Sequence, residues 1–159
     1  MVSYLEHCRA IDELLGLYAL VVDGQEWERW PALFAEDCYY AVVSIENVEQ
    51  DLPLAYMLDD SRERILDRVK FVREVWAGTV EPYRTRHSIQ RTMTMDLGSG
   101  VYEVQANFLV GYTLGDGTAG MLAMGHYEDQ IAVGEEGALF LRKVVYLDNV
   151  PPRYLIYPL

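Results

Sequence analysis

The spacing of apolar residues changes for good along this chain at Pro82, and that change leaves few architectures open. Ahead of it, apart from one β-branched and aromatic run at 38–45, they recur every three or four positions, the spacing of a helix face. Beyond it they alternate. Residues 101–114 alternate most cleanly: Tyr102, Val104, Ala106, Phe108, Val110, Tyr112 and Leu114 share one face, with Glu103, Gln105, Asn107 and Thr113 on the other. Period two is the pattern of a half-buried strand. Further strands are expected near 84–96, 121–133 and 139–148, joined by turns at 98–100, 115–117 and 134–137 that each contain two glycines. Helices followed by a four-strand meander describe an α+β fold, with the helices on one face of an antiparallel sheet that curls around them into a cone.

The helical part opens at Ser3-Tyr4-Leu5-Glu6, which fits a capping box. Leu5, Cys8, Ile11, Leu15, Tyr18 and Val22 then mark one face, and Asp23-Gly24 ends the helix. Gly16 inside it costs about 1 kcal/mol relative to alanine, which points to close packing there. A short second helix is expected around Trp27, Trp30, Leu33 and Phe34, interrupted by Pro31, and a strand over 38–45. Residues 46–58 read as loop with an edge strand. A third helix opens at Asp60-Ser61-Arg62-Glu63, buries Ile65, Val69, Val72 and Trp76, and stops at Gly78.

The chain has 159 residues, the length of a single domain over 1–159. Its formal charge of −12 argues against nucleic acid and anionic membrane as partners. No apolar run is long enough to span a bilayer, and the first residues lack the basic and apolar parts of a signal peptide, so the expected location is cytoplasmic. Cys8 and Cys38 are expected as buried thiols. Residues 65–95 are the one basic stretch, with 6 Lys and Arg against 3 Asp and Glu.

The inventory for chemistry is thin. No phosphate-cradling loop, nucleophile elbow or dinucleotide fingerprint is present. The histidines are His7, His87 and His126, and neither cysteine begins a Cys-x-His, so a Rieske site is excluded. His126 shares a strand face with Glu128, while Asp129 faces the other way, but no second histidine follows to complete an iron triad. On a regular strand His87 would lie with Ile89, Met93 and Met95 on an apolar face. It could be a satisfied core histidine, or form an acid–base dyad with a carboxylate such as Asp37 inside the cone. Arg84 and Arg86 share a face and suit an acidic partner surface, or a plain solvated strand. In the last strand Leu139, Leu141, Val145 and Leu147 alternate with Phe140, Val144 and Tyr146, so both faces are apolar and a partner subunit is expected.

Several stretches together resemble one family. These are Trp27-Glu28-Arg29-Trp30-Pro31-Ala32-Leu33-Phe34-Ala35-Glu36-Asp37-Cys38-Tyr39-Tyr40, Asp59-Asp60-Ser61-Arg62, Leu66-Asp67-Arg68-Val69, Tyr83-Arg84-Thr85-Arg86-His87, Asn107-Phe108-Leu109-Val110, Gly125-His126-Tyr127-Glu128-Asp129 and Pro152-Arg153-Tyr154-Leu155-Ile156-Tyr157-Pro158-Leu159. In order and spacing they resemble the small (β) subunits of aromatic-ring-hydroxylating dioxygenases. Val75-Trp76-Ala77-Gly78-Thr79 and the Tyr157-Pro158-Leu159 end are most similar to salicylate 5-hydroxylase-type and terephthalate-type small subunits. The resemblance implies an NTF2-like (SnoaL-like, cystatin-like) cone and a mainly structural chain with no catalytic, cofactor-binding or metal-binding residues of its own. It implies a homotrimer of this chain beneath three catalytic large (α) subunits, an α3β3 assembly. There the large subunit carries the Rieske [2Fe–2S] cluster and the mononuclear iron, and NAD(P)H supplies electrons through a reductase. An aromatic carboxylate is the substrate class it suggests. Arg84, Arg86, Tyr154 and Tyr157 are the candidate subunit-interface residues. The alternative is a stand-alone cone-fold isomerase, dehydratase or cyclase built on His87 and a carboxylate.

Overall fold

The computed structural model describes residues 3–159; Met1 and Val2, at the head of the stretch read for a signal peptide and of the 1–159 domain, lie outside them. The first helix, α1 (Tyr4–Asp23), starts at Ser3, whose hydroxyl accepts from the Glu6 N–H while Glu6 accepts from the Ser3 N–H at 2.6 Å, so the capping box is formed as the sequence implies. Its buried stripe is Cys8, Ile11, Leu14, Leu15, Tyr18, Val21 and Val22. Gly16 lies on the exposed side, where an added Cβ would meet nothing within 4 Å, so the expectation of close packing there is wrong.

Pro31 sits in a 3-10 turn over Trp30–Leu33, a turn that tolerates it because the first positions need no N–H partner. Strand β1 (Phe34–Ser44) follows at once, four residues earlier than expected, because an irregularity between Phe34 and Tyr39 lets its aromatic start join the sheet. Residues 45–59 hold a short helix, α2 (Ile45–Glu49), and the edge strand β2 (Met57–Asp59). Helix α3 (Arg62–Lys70) is capped by Ser61 and continues as a π-helical turn over Phe71–Val75. That wider turn rotates the phase, so Ile65, Val69 and Val72 are buried but Trp76 is carried to the surface. Gly78, at φ +80°, then reverses the chain in a conformation that glycine adopts freely. Arg68 holds Asp59 through two guanidinium nitrogens, fastening α3 to β2.

Four long strands complete the sheet: β3 (Tyr83–Gly98), β4 (Val101–Leu114), β5 (Ala119–Gly134) and β6 (Gly137–Leu147). They pair as the antiparallel meander that the alternation implies. The order across the sheet is β2-β1-β6-β5-β4-β3, with β1 parallel to β6. Bulges bend it around the helices, one extra residue at a time. The one at Thr92 reverses which residues of β3 face inward, so His87 and Ile89 share the inner face but Met93 and Met95 do not. A second, at Leu141, puts Phe140 on the inner face with Lys143, Val145 and Leu147, and turns Leu139 outward. Strict alternation therefore misassigns Phe140 and Leu139. At Gly125 the strands approach so closely that a Cβ would lie 1.8 Å from the Tyr146 carbonyl oxygen, so only glycine fits.

The core lies between α1, α3 and the concave face of the sheet, and its largest buried side chains are Trp30, Tyr18, Tyr40, Tyr127, Phe34, Phe108 and Phe140. Residues 148–159 then cross the mouth of the cone without forming strand or helix. Asn149 pins this segment to β5 through the Met124 N–H and the Leu122 carbonyl, and Ile156 and Leu159 are buried at its far end. Cys8 and Cys38 are both buried and unpaired, as the sequence reading expects.

Candidate functional site

Two buried polar clusters occupy the cone. The first joins the end of α1 to β3. His87 Nδ1 lies 2.6 Å from Asp23 Oδ1, the His87 backbone N–H donates to Asp23 Oδ2 at 2.8 Å, and the Thr85 hydroxyl donates to Asp23 at 2.9 Å. Burial alone would raise the Asp23 carboxyl, but the bonds from His87 and Thr85 outweigh it and hold the carboxyl below its ordinary value. A negative charge at a helix C-terminus opposes the helix dipole, so these donors also explain how Asp23 is tolerated there. The imidazole is fully buried, although its backbone lies on the open edge of the sheet. With Nδ1–H directed at a carboxylate, a neutral His87 leaves Nε2 as a bare acceptor, and no protein group bonds to it.

The dyad partner is thus Asp23, and not Asp37. Asp37 is exposed on β1. The signal in the sequence was an acid at the last position of a helix, where nothing local can satisfy it.

The second cluster is a cross-strand ion pair. Asp129 on β5 faces Lys143 on β6, with Lys143 Nζ 3.2 and 3.4 Å from the two carboxylate oxygens and both side chains sealed from solvent. Lys143 Nζ also lies 3.3 Å from the Tyr127 ring centroid and 4.5 Å from that of Tyr18. Desolvation pushes the lysine down to about 8, against the attraction of Asp129, and pushes Asp129 up to about 6, against that of Lys143. The spacing sets Asp129 on the opposite face from His126 and Glu128 without saying which face is inner, and it does not reveal the partner, because a lysine in an apolar strand carries no mark of burial.

The outer face is different in kind. His126 and Glu128 share it, as their spacing implies, with His126 Nε2 3.7 Å from Glu128 Oε1 and the imidazole stacked on Tyr146 at 4.8 Å. Arg142 lies over the Tyr39 ring at 5.1 Å. Leu109, Met121, Met124 and Leu139 are exposed there. Arg84 and Arg86 project from β3 on this same face, on the open edge of the sheet, and both are exposed. Tyr154 is 77% exposed on the closing segment. Tyr157 is half-buried, stacked on Trp27 at 5.3 Å and edge-on to Tyr83 at 5.0 Å. The four candidate interface residues thus divide into two arginines at one edge and two tyrosines at the mouth.

The donor set does not fit an iron site. His7 Nδ1 is 2.6 Å from the Tyr102 hydroxyl, His87 is held by Asp23 and His126 stacks on Tyr146, so the three histidines serve separate places. Among the described residues no group of three His, Cys, Asp or Glu side chains could share a metal ion. Nor is any helix among them long and apolar enough to cross a membrane.

A cone of this order and curvature, closed over buried polar clusters and edged with arginines, defines an NTF2-like α+β chain. Residues 18–151 match the family model described as ring hydroxylating beta subunit, and the chain belongs to that family. It is 28% identical over 128 residues to the anthranilate 1,2-dioxygenase small subunit of Burkholderia cepacia, covering 80% of this chain and 78% of that one. It is 27% identical to the terephthalate 1,2-dioxygenase terminal oxygenase component subunit beta 2 of a Comamonas species, covering 71% and 72%. A crystal structure assigned as the beta subunit of an aromatic-ring-hydroxylating dioxygenase of Novosphingobium aromaticivorans superposes with a TM-score of 0.83 at 28% identity, covering 94% of each chain. The chain is accordingly a small (β) subunit of a ring-hydroxylating dioxygenase holoenzyme.

Proposed function

We propose that this chain is the mainly structural β subunit of a cytoplasmic Rieske non-heme iron oxygenase, supporting a catalytic large subunit that hydroxylates an aromatic carboxylate. In this reading the Rieske cluster and catalytic iron reside in the large subunit, a reductase delivers electrons from NAD(P)H, and a trimer of this chain sits beneath three large subunits. The observation that carries it is the family match over 18–151 on a chain whose histidines are committed to three separate places. The aromatic carboxylate rests on the names of the anthranilate and terephthalate relatives.

Arg84 and Arg86 supply the recognition chemistry for the partner. Both are exposed guanidinium groups on an acidic protein, Arg86 donating to the Thr85 carbonyl oxygen at 3.2 Å and neither bridged to a carboxylate among the described residues, and the guanidinium plane suits bidentate contact with carboxylates. Tyr154 and Tyr157, at the mouth, are a second candidate contact, of which Tyr154 is the exposed member. Co-expression with the cognate large subunit tests the reading. A stable complex whose activity is lost without this chain is expected; a large subunit fully active alone overturns it.

A stand-alone isomerase, dehydratase or cyclase draws support from the His87–Asp23 pair. Against it stands the imidazole's complete burial, edge-on to Tyr18.

A further inference from the structure

Arg68 and Arg91, each partly buried, are held at two points by a carboxylate, Arg68 by Asp59 and Arg91 by Asp12. Arg153, on the closing segment, is not. Its Nε is sealed from solvent with no hydrogen-bond partner, and its Nη1 stands 3.9 Å from Glu81 Oε2, beyond hydrogen-bond reach. A ring supports the guanidinium instead: its central carbon lies 5.2 Å from the Tyr112 centroid. Buried N–H groups are normally paired, so a guanidinium with an orphaned one is short of an acceptor.

A cleft of about 570 Å³ adjoins Arg153 at the rim of the cone, and none of the deep aromatic residues Tyr18, Tyr40 or Tyr127 lines it. Val80, Tyr83, Tyr112, Pro151 and Tyr154 wall it, so its surfaces are aromatic rings and flat apolar faces. The Tyr83 hydroxyl already donates to the Tyr154 carbonyl oxygen at 3.0 Å, which leaves its ring as wall. The Tyr154 side chain is exposed, with one face open to a second ring. Apolar walls around one charged group are the make-up of a small-ligand site.

The charges select the ligand. Arg153 is the one cation among the described residues that line the cleft. The other ionised groups beside it are carboxylates: Glu81, and Asp116, which is held low first by the Thr118 N–H and also by the guanidinium. A single fork between two surface carboxylates suits a monoanion and disfavours a dianion such as phosphate. A planar carboxylate meets that fork at two points, which Glu81 at 3.9 Å does not.

We propose that this cleft binds a monocyclic aromatic carboxylate, with Arg153 as the carboxylate-binding residue and Glu81 as its competitor. The carboxylate accepts from the guanidinium, which Tyr112 supports from beneath, and the ring lies against Tyr154 and Pro151. The site is read from this chain alone, and it stands whether or not the chain assembles with a large subunit.

The test is calorimetric titration of the full chain with benzoate. Benzamide, which keeps the ring without the charge, and acetate, which keeps the charge without the ring, are the controls. Benzoate is expected to bind about tenfold tighter than either. Arg153→Gln should weaken benzoate by about tenfold. Glu81→Gln, at an exposed side chain, should tighten it by about threefold, because it removes the competing carboxylate. Benzoate that binds no tighter than the two controls overturns the proposal, and so does an affinity that Arg153→Gln or Glu81→Gln leaves unchanged. The comparison of three ligands needs no variant, so it decides the matter even where Arg153→Gln prevents folding.

Discussion

Glu128 and Asp129 are neighbours on β5, yet they live in different media. Glu128 points outward, 42% exposed beside His126, and Asp129 points inward, sealed against Lys143. The first is a surface carboxylate whose partner is optional. The second would be an uncompensated buried charge without its lysine. The contrast extends across the sheet: the inner face is filled and closed, whereas the outer face leaves Leu109, Met124 and two arginines open. The inside of this molecule is built to hold itself together, and the outside to meet something else.

The largest expected effect comes from breaking the inner pair on one side. Lys143→Met leaves Asp129 buried and unpaired, and should cost about 3–5 kcal/mol in urea unfolding. Replacing both, with Asp129→Leu added, should recover most or all of that loss, because the pair itself offsets little more than its own desolvation. A double variant as unstable as the single one would show that the pair does more than neutralise itself. Tyr40→Phe comes next, removing the phenol that accepts from Leu159 N–H, with a loss of about 1–2 kcal/mol.

Asp23 offers a pH test of the same interior. Its carboxyl lets go of its proton more readily folded than unfolded, so its stabilising contribution is complete above the ordinary value of 3.8 and is lost as pH falls through the lower folded value. Asp23→Asn should flatten that acid-side loss, and an unchanged slope in acid unfolding curves would remove Asp23 from the account. The outer face should respond in the opposite manner. Arg84→Glu and Arg86→Glu should shift stability by no more than about 0.5 kcal/mol, yet weaken co-purification with a large subunit at moderate salt. Gly16→Ala, on the exposed side of α1, should stabilise the chain by about 0.5–1 kcal/mol, measured as a rise in Tm.

Much of the architecture was legible because it follows from local rules. The capping box at Ser3, the stripe of α1 from Cys8 onward (Leu5, expected on it, is exposed), the alternation over 101–114 and the three turns each rest on residues within a few positions of one another. So did the divergence of Glu128 from Asp129, since a period of two needs no knowledge of the partner strand. Where one residue was inserted, the same arithmetic failed. The bulges at Thr92 and Leu141 reversed the inward set of β3 and β6, and the π-helical turn displaced Trp76. An extra residue in a strand leaves no compositional trace when its neighbours are Arg, Thr and Met.

By itself the sequence determined the class of fold, the order of its main elements, the candidate arginines and, through seven dispersed stretches, the resemblance to a β subunit. Each depends on spacing along the chain. The tertiary structure alone decided that His87 pairs with Asp23 and not Asp37, that Lys143 is buried, and that Leu159 returns across the whole fold to the hydroxyls of Tyr18 and Tyr40. Those contacts join positions 64, 14, 141 and 119 residues apart. The closure of the sheet into a cone brings them within hydrogen-bond reach, and no local pattern records which buried group will find which.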